Sequence, residues 1–329
     1  MIRWANEDDI TPLNHLFKTV FDKKRDAKTV QWKYFEHPVA DNPWVLVFED
    51  GYHILGSISL WVNDAYVEGL ERKIALRCDT MVHPDSRGRG IYRQLNERML
   101  QEAEARNIDL LYGFPSDKAK GPLIAQTNAQ DLGGVQRYIW LQKPITLLAD
   151  KFKPFKFLKP YEAMYQKRKR RQLEASPNHI REINAFDERA DRLMDQVKKI
   201  KPVVTKRTAN YLNWRYADHP TNNYRKFVYE RNGEWLGYVV VSERSIVDII
   251  ATDEPAIWDA LINQTLLSLH DAPFIQTWTM PDNPLEAALK RANFTKKDEP
   301  MPFVVNQFDD TNQIQREDVY LVQGDVDSF

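Results

Sequence analysis

Cysteine is nearly absent from this chain of 329 residues, whose only thiol belongs to Cys78. A single cysteine excludes an internal disulfide and leaves no cysteine cluster of the kind that holds structural zinc. The chain also lacks any apolar run of the roughly 20 residues that cross a bilayer as a helix. Its beginning, MIRWANEDDI, has no basic stretch followed by an apolar core. We therefore expect no signal peptide, no transmembrane segment and no metal site.

An excess of charge of one sign is missing as well. Lysine and arginine number 46 and aspartate and glutamate 47, for a formal net charge of −1. This balance argues against a general nucleic-acid-binding protein, whose affinity depends on clustered cations. Apolar residues make up 43% of the chain, and its length is typical of two domains of about 150 residues each. We expect a soluble, cytoplasmic protein.

One stretch near the middle of the chain departs from this balance. Residues 151–171 hold nine Lys or Arg residues, several aromatic rings and no glycine. Pro154 and Pro160 break any long helix there. The stretch is either an interdomain linker whose aromatic rings pack down while its lysines stay in water, or a patch for acidic membrane or nucleic acid. We favour the linker, because the total charge is neutral.

The two sides of this linker resemble each other over residues 31–60 and 213–241. Five residues of the first copy match five of the second in register: Trp32, Tyr34, His37, Pro38 and Gly56 match Trp214, Tyr216, His219, Pro220 and Gly237. In each copy a β-branched and aromatic run, a turn and a second such run follow, which predicts a hairpin. The pattern indicates an internal duplication. We place the first domain at 1–150, the linker at 151–177 and the second domain at 178–329.

Only the first copy carries the stretch DTMVHPDSRGRGIYRQL, at residues 79–95. An apolar strand precedes it, and after it Ile91, Leu95 and Met99 recur on one face of a predicted helix. Glycine at 88 and 90 lets the backbone turn with its N–H groups converging at the start of that helix. Two arginines add positive charge for a phosphate. We interpret the stretch as a diphosphate-binding loop, although its glycine spacing is neither that of a Walker loop nor that of a Rossmann turn.

The segment VHPDSRGRGIYRQL resembles the acetyl-CoA loop of the GNAT superfamily of acyl-CoA N-acyltransferases. The family pattern is R/Q-x-x-G-x-G/A after an apolar strand. Arg87 takes the first position and Gly90 the fourth, whereas Tyr92 stands where a glycine or alanine is usual. The segments IRWANEDDITPLNHLF and LLYGFPSDKA and the turn at Leu132-Gly133 are similar to further parts of the family's first domain. The duplication resembles tandem GNAT proteins with one intact and one degenerate coenzyme loop.

This resemblance implies a fold and a set of coenzyme contacts. The fold is α+β (mixed α/β), with two GNAT-like domains that each have a twisted, mostly antiparallel central sheet flanked by helices. Backbone groups of Met81 and Val82 would pair with the pantetheine arm of acetyl-CoA, the expected co-substrate. Ser116 stands where many members place an asparagine near the coenzyme. The loop residues that would hold the pyrophosphate are Arg87, Gly88, Arg89, Gly90, Ile91 and Tyr92.

Proton transfer has several candidate residues. A primary amine is mostly protonated at neutral pH, so a base should assist its attack on the thioester. Asp79 lies on the strand beside the thioester, where it acts either as this base or as part of a hydrogen-bond network, and His83 is expected to face outward. The family's usual tyrosine after the fifth strand is missing here. Tyr112, Tyr92 or water would then protonate the departing thiolate.

The function that we expect is acetyl-CoA-dependent N-acetylation of a primary amine on a small molecule or sugar. One alternative is a catalytically inactive module that binds CoA or a partner. Another is an aminoacyl-tRNA-dependent peptidyltransferase, which the intact loop disfavours. The matched tryptophans are expected in the core. The C-terminal GDVDSF is expected to be disordered or to dock on the second domain, rather than to bring its terminal carboxylate to an active site.

Overall fold

The protein is described here from a computed structural model that covers residues 1–39, 42–173, 179–308 and 313–327. Both halves of the chain contribute to one continuous sheet. The strands are β1 (Ile2–Trp4), β2 (Trp44–Asp50), β3 (His53–Val67), β4 (Leu70–Val82), β5 (Ile108–Gly113), β6 (Gln130–Leu141), β7 (Ile180–Ile183), β8 (Val203–Thr205), β9 (Arg225–Arg231), β10 (Glu234–Ser242), β11 (Ser245–Ala251), β12 (Phe274–Thr279), β13 (Thr295–Gln307) and β14 (Val319–Tyr320). The α-helices are α1 (Ile10–Phe21), α2 (Ala27–Val30), α3 (Ile91–Ala105), α4 (Asp117–Thr127), α5 (Pro144–Lys151), α6 (Glu162–Gln172), α7 (Arg189–Val197), α8 (Ala209–Leu212), α9 (Pro255–Ser268) and α10 (Pro284–Arg291).

Both predicted hairpins are present. Strands β2 and β3 pair antiparallel on either side of a turn at Gly51, and β9 and β10 do the same around Asn232 and Gly233. In the second turn the two central residues have φ values of +55° and +83°. Positive φ at both positions is the geometry of a type I′ turn, which matches the twist of the strands it joins.

The matched glycines of the repeat allow close packing of each hairpin on the helix that follows it. A Cβ on Gly56 would lie 2.7 Å from a side-chain carbon of Ile91 in α3. A Cβ on Gly237 would lie 3.0 Å from Leu261 in α9. A side chain at either position would separate strand and helix, so glycine is required by the close approach.

The last strand of each half is exchanged between the halves. The sheet runs in the order β1-β2-β3-β4-β5-β13-β6-β12-β11-β10-β9-β7. Strand β6 of the first half pairs antiparallel with β12 of the second, and β13 of the second half pairs antiparallel with β5 of the first. In the middle β6 and β13 pair with each other. Each half therefore completes the sheet of the other.

The expected fold class is confirmed, since the sheet is mainly antiparallel and helices cover it. Helix α3 buries Ile91, Leu95 and Met99 against one face of the first half, as the spacing predicts. Helix α1 packs through Leu13 and Leu16 on the other face. The domain boundaries at 150 and 178 stay a prediction. None of the helices described is long and apolar enough to span a membrane.

Two local predictions are wrong. The turn expected at Leu132–Gly134 lies inside β6, where the pairing with β13 is irregular. Residues 151–173 of the basic linker are mostly helical, but several of their aromatic rings do not pack down: Phe157 is 70% exposed and Tyr161 53%. Most of the exposed large apolar side chains among the described residues lie between Leu141 and Met164. Polar contacts such as that of Glu162 with the Thr146 backbone N–H (2.5 Å) hold the segment in place instead.

Candidate active site

Strands β4 and β5 separate in the first half, and the candidate site begins at this point. They pair in parallel as far as Leu76 and Tyr112, after which no further pairing between them is seen. Strand β4 nevertheless continues to Val82. Strand β5 instead pairs along its other edge with β13. The edge of β4 that carries Met81 and Val82 is therefore open toward a cleft between the two strands.

A β-bulge interrupts β4 at Asp79. The register between β3 and β4 shifts so that Asp79 and Thr80 lie opposite the single residue Ile58. The backbone of Asp79 has a φ of +30°, which is rare for a residue with a side chain. Bulges of this kind redirect a side chain next to a site. Here the bulge places the Asp79 carboxylate against the loop between α1 and α2.

The predicted phosphate loop joins the end of β4 to the start of α3. Gly88 and Gly90 have φ values of +81° and +74°, and a Cβ on Gly88 would meet nothing within 4 Å. Gly90 immediately precedes α3, whose first backbone N–H groups have no partner within the helix. Arg89 donates to Asp50 at 2.9 Å, whereas exposed Arg87 forms no ion pair within the described part of the chain. The loop therefore fits a pyrophosphate group.

Arg77 lines the α3 side of this cleft, and sequence reasoning missed it. Its guanidinium donates to the amide oxygens of Asn96 on α3 (3.1 Å) and Asn306 on β13 (3.0 Å). Burial among these neutral partners lowers the pKa of Arg77 to about 10. Burial raises the pKa of nearby Tyr92, although Arg77 opposes that shift. The available signal is an arginine within the apolar run KIALRCDTMV.

On the opposite face of the sheet, two cations and a tyrosine hold Asp79. Arg25 Nη1 donates to Asp79 Oδ2 at 2.7 Å and Lys33 Nζ at 2.8 Å, and the Tyr34 hydroxyl donates to the same oxygen. Burial alone would raise the pKa of Asp79, but Lys33 and Arg25 outweigh it and lower that pKa. Asp79 is therefore a poor proton acceptor in this arrangement.

A cavity of about 310 Å³ opens beside this cluster. It lies between the α1–α2 loop, the bulge of β4, the second half and the C-terminal segment. The residues that line it are Phe17, Lys23, Lys24, Arg25, Thr29, Trp32, Lys33, Asp79, His219, Asn222 and Asp327. Lys33 Nζ also donates to Asp327 at 2.7 Å. The cavity therefore contains residues of both halves.

His219 is the only imidazole among the described lining residues. Its Nδ1 accepts the backbone N–H groups of Thr221 (3.2 Å) and Asn222 (3.0 Å). The ring proton of the neutral imidazole then lies on Nε2, so Nε2 of this lining residue is a donor. Burial and nearby Arg215 lower the pKa of His219 to about 4. The ring is thus neutral at physiological pH.

The remaining predicted residues are not brought to this cavity. Tyr112 is 4% exposed, packs against Phe114 and Phe303, and has its pKa raised well above the ordinary value by burial. Exposed Ser116 precedes α4. His83 accepts the Asp85 backbone N–H at 3.3 Å. The described residues contain no group of His, Cys, Asp or Glu that could hold a metal ion.

The C-terminal segment docks on the second half, which is one of the two outcomes expected for it. Strand β14 pairs with β8, and Val322 bridges to Thr279 of β12. Gly324 and Asp325 are buried, and Asp327 reaches Lys33 of the first half. Phe329 and its terminal carboxylate lie outside the described residues.

The second half repeats the cluster around Asp79. Arg207 and Tyr216 follow Arg25 and Tyr34 by 182 positions, the spacing that also separates Trp32 from Trp214. Both contact Asp248 of β11, Arg207 Nε at 3.2 Å and the Tyr216 hydroxyl at 2.9 Å. The C-terminal segment fills the space beside this second cluster. A longer alignment of the two copies, RDAKTVQW on RTANYLNW, is the signal that would have found the arginines.

Comparisons with known proteins show a domain match in the first half and a shared fold over most of the chain. Residues 1–120 match the family model of the acetyltransferase (GNAT) domain. The GCN5-related N-acetyltransferase of Anabaena variabilis has a similar fold, with a TM-score of 0.67 and 12% identity over 94% of this chain and 73% of that one. The GCN5-related N-acetyltransferase of Kribbella flavida has a TM-score of 0.61 and 12% sequence identity, over 94% of this chain and 71% of that one. A search of curated proteins found no match. The first 120 residues thus contain a GNAT acetyltransferase domain, a fold that supports acyl transfer.

Proposed function

We propose that the protein is an N-acetyltransferase that transfers the acetyl group of acetyl-CoA to a primary amine of a small molecule or sugar. One observation carries the proposal: β4 leaves β5 after Leu76 and runs directly into the glycine loop at the start of α3. The amide groups of a pantetheine arm can pair with a free strand edge, and converging N–H groups can hold a pyrophosphate. A single strand–loop–helix unit supplies both, and it lies within the residues that match the family.

In this proposal each side of the cleft has a separate task. The backbone of Met81 and Val82 binds the pantetheine arm, and residues 87–92 hold the pyrophosphate, with Ser116 on the neighbouring α4. Acetyl-CoA supplies an activated acetyl thioester when bound. The cavity on the other face of β4 receives the acceptor amine, so that the two substrates approach the bulge at Asp79 from opposite sides.

Proton movement in this proposal relies on solvent more than on a dedicated base. Asp79 has a lowered pKa and two cationic partners, so we assign it the role of holding Arg25 and Lys33 in place. The amine then loses its proton to water in the cavity. Tyr112 stands at the last position of β5 that pairs with β4, and its raised pKa keeps the phenol protonated. It is our candidate for returning a proton to the thiolate.

Two measurements test this function. Acetyl-CoA should raise the melting temperature of the protein, and a panel of primary amines should include at least one that releases free thiol from acetyl-CoA. Lack of any thermal shift with acetyl-, propionyl- or succinyl-CoA would refute the proposal. Binding without thiol release would indicate an inactive CoA-binding module. Binding of tRNA with a steep salt dependence would indicate the peptidyltransferase instead.

A further inference from the structure

We propose that the acceptor carries a carboxylate beside its amine, and that Arg25 binds this carboxylate. The inference rests on the proposed function, because it names the substrate class of the same cavity. Its basis is a comparison inside the chain. The two halves place an equivalent arginine in an equivalent cluster, and in one half that arginine already binds a carboxylate.

In the second half every nitrogen of the Arg207 guanidinium has a partner. Nε donates to Asp248 at 3.2 Å, and Nη1 donates to the Thr205 carbonyl at 3.0 Å. Nη2 donates to Asp325 Oδ2 at 2.6 Å. Asp325 comes from the C-terminal segment, not from the cluster itself. The segment therefore acts as a built-in ligand that brings a carboxylate to Arg207.

In the first half the equivalent guanidinium has one nitrogen without a partner. Arg25 Nε donates to Asn14 Oδ1 at 3.0 Å, and Nη1 donates to Asp79 at 2.7 Å. Nη2 is buried and has no hydrogen-bond partner among the residues that the structure describes. The Arg25 side chain is only 8% exposed, and it lines the cavity. Because a buried charged donor is costly to leave unpaired, a small shift of the Arg25 side chain toward the cavity that brings this nitrogen to an acceptor atom of a ligand is favourable.

The charges that line the cavity favour the same class of ligand. Four cations, Lys23, Lys24, Arg25 and Lys33, outnumber the two carboxylates of Asp79 and Asp327. Lys23 and Lys24 are exposed, and no ion pair holds either of them within the described part of the chain. Excess positive charge in a concave site draws anions toward it. A carboxylate matches the group that the second half places on Arg207.

Matched pairs of amines test the inference. Each amino acid of a panel is compared with its own primary amide, which replaces the carboxylate by a neutral group but also lowers the pKa of the neighbouring amine. The kcat/KM value is therefore calculated for the unprotonated amine of each compound. Phosphoethanolamine and ethanolamine form the corresponding pair for phosphate. We expect kcat/KM from thiol release to be about 10- to 100-fold higher for the best carboxylate than for its amide. Equal or better turnover of the amides would overturn the inference while leaving the proposed function intact.

Variants of the α1–α2 loop connect that preference to Arg25. Arg25→Lys keeps a cation for Asp79 but has no Nη2. The ratio of kcat/KM for the carboxylate to kcat/KM for its amide should therefore fall toward one. The matched control is Lys28→Gln, a change of an exposed cation on α2 outside the cavity, which should keep the ratio of the wild type. A ratio unchanged by Arg25→Lys would refute the role of Arg25. If Arg25 instead favoured phosphoethanolamine over ethanolamine and gave no preference for carboxylates over amides, the choice of a carboxylate would be refuted.

A binding measurement on the wild-type protein keeps the inference falsifiable if Arg25→Lys does not fold. The N-acetylated form of the best amino acid should raise the melting temperature at concentrations at least about 10-fold below those needed for the N-acetylated amide. The same concentration dependence for both products would overturn the inference. If none of the amines in the panel released thiol from acetyl-CoA, the proposed function would be refuted, and this inference with it.

Discussion

Trp32 and Trp214 join the two halves through a reciprocal pair of hydrogen bonds. The indole N–H of each donates to the backbone carbonyl of the other, at 2.9 and 3.1 Å. Their rings stack with centroids 4.8 Å apart and planes 18° apart. Because the two residues are equivalent in the repeat, each half makes the same hydrogen bond to the other. The prediction that these tryptophans belong to the core is confirmed, since neither is more than 5% exposed.

The first prediction concerns this contact. Trp214→Phe removes one indole donor and leaves the buried carbonyl of Trp32 without it, so the free energy of unfolding should fall by about 1–3 kcal/mol. Urea denaturation measures this change. In a double-mutant cycle with Trp32→Phe, the two losses of unfolding free energy should not be additive, because the two side chains are in contact. Tyr52→Ala, at a fully exposed position, should change stability by less than about 0.5 kcal/mol.

The second prediction separates coenzyme binding from backbone strain. Gly90→Glu places an anion where the phosphates are proposed to lie, and it should abolish the thermal protection by acetyl-CoA. Gly233→Glu is the matched control, because Gly233 has a similar φ of +83° but lies in the hairpin of the second half. Both variants should lose about 1–2 kcal/mol from the left-handed backbone. Retained protection in Gly90→Glu would contradict the assignment of the loop.

The third prediction follows from the matched histidines. Burial lowers the pKa of His37 to about 3 and that of His219 to about 4, so neither binds a proton in the folded protein near pH 6. The unfolded chain does bind protons below pH 6.5, and stability should therefore fall as the pH decreases from 6.5 to 5. Each histidine contributes up to about 1.4 kcal/mol per pH unit. In His37→Gln the slope of unfolding free energy against pH should be shallower, whatever the absolute stability of the variant.

The fourth prediction concerns the dependence of the rate on pH. Neither Asp79, whose pKa is lowered, nor His219, whose pKa is about 4, titrates near neutrality. The kcat/KM value should therefore rise about tenfold per pH unit up to the pKa of the amine itself. Two amines of different pKa should give two profiles displaced by that difference. A shared inflection near pH 7 would reveal a base that this arrangement does not provide.

The fifth prediction tests how the C-terminal segment is held. A Cβ on Gly324 would lie 2.0 Å from the Tyr216 hydroxyl, so Gly324→Ala should lower the free energy of unfolding by about 1–3 kcal/mol. Limited proteolysis should then cleave the segment faster. Gly121→Ala, in α4 directly before Pro122 and far from the segment in sequence, is the control and should leave the cleavage rate of the segment unchanged. Unchanged proteolysis in Gly324→Ala would show that the segment is held elsewhere.

Features with a local signal could be predicted from the sequence. The hairpins follow from turn residues and alternating strands, and the buried face of α3 follows from the spacing of Ile91, Leu95 and Met99. The glycine loop follows from residues that are adjacent in the chain. In each case the pattern and the structure that it specifies lie within about 20 residues of each other.

Features that depend on distant partners could not be predicted in this way. Strand β6 has the same alternation whichever strand it pairs with, and its Arg137 meets Asp298 across 161 positions. The polar GDVDSF has the composition of a mobile end. Burial of Asp325 is favourable because the distant Arg207 guanidinium and the Val322 backbone N–H both donate to its carboxylate. The lowered pKa of Asp79 likewise comes from Lys33 and Arg25, which lie on other elements.

The exchange of β6 and β13 makes the halves mutually dependent for folding. A chain cut in the basic linker would leave the first fragment with an unpaired edge on β5 and the second with one on β12, and such edges invite aggregation. Neither fragment should be recoverable alone, whereas co-expression of both should restore the assembled protein. The half without a glycine loop is therefore a structural complement of the first half, whether or not it performs chemistry of its own.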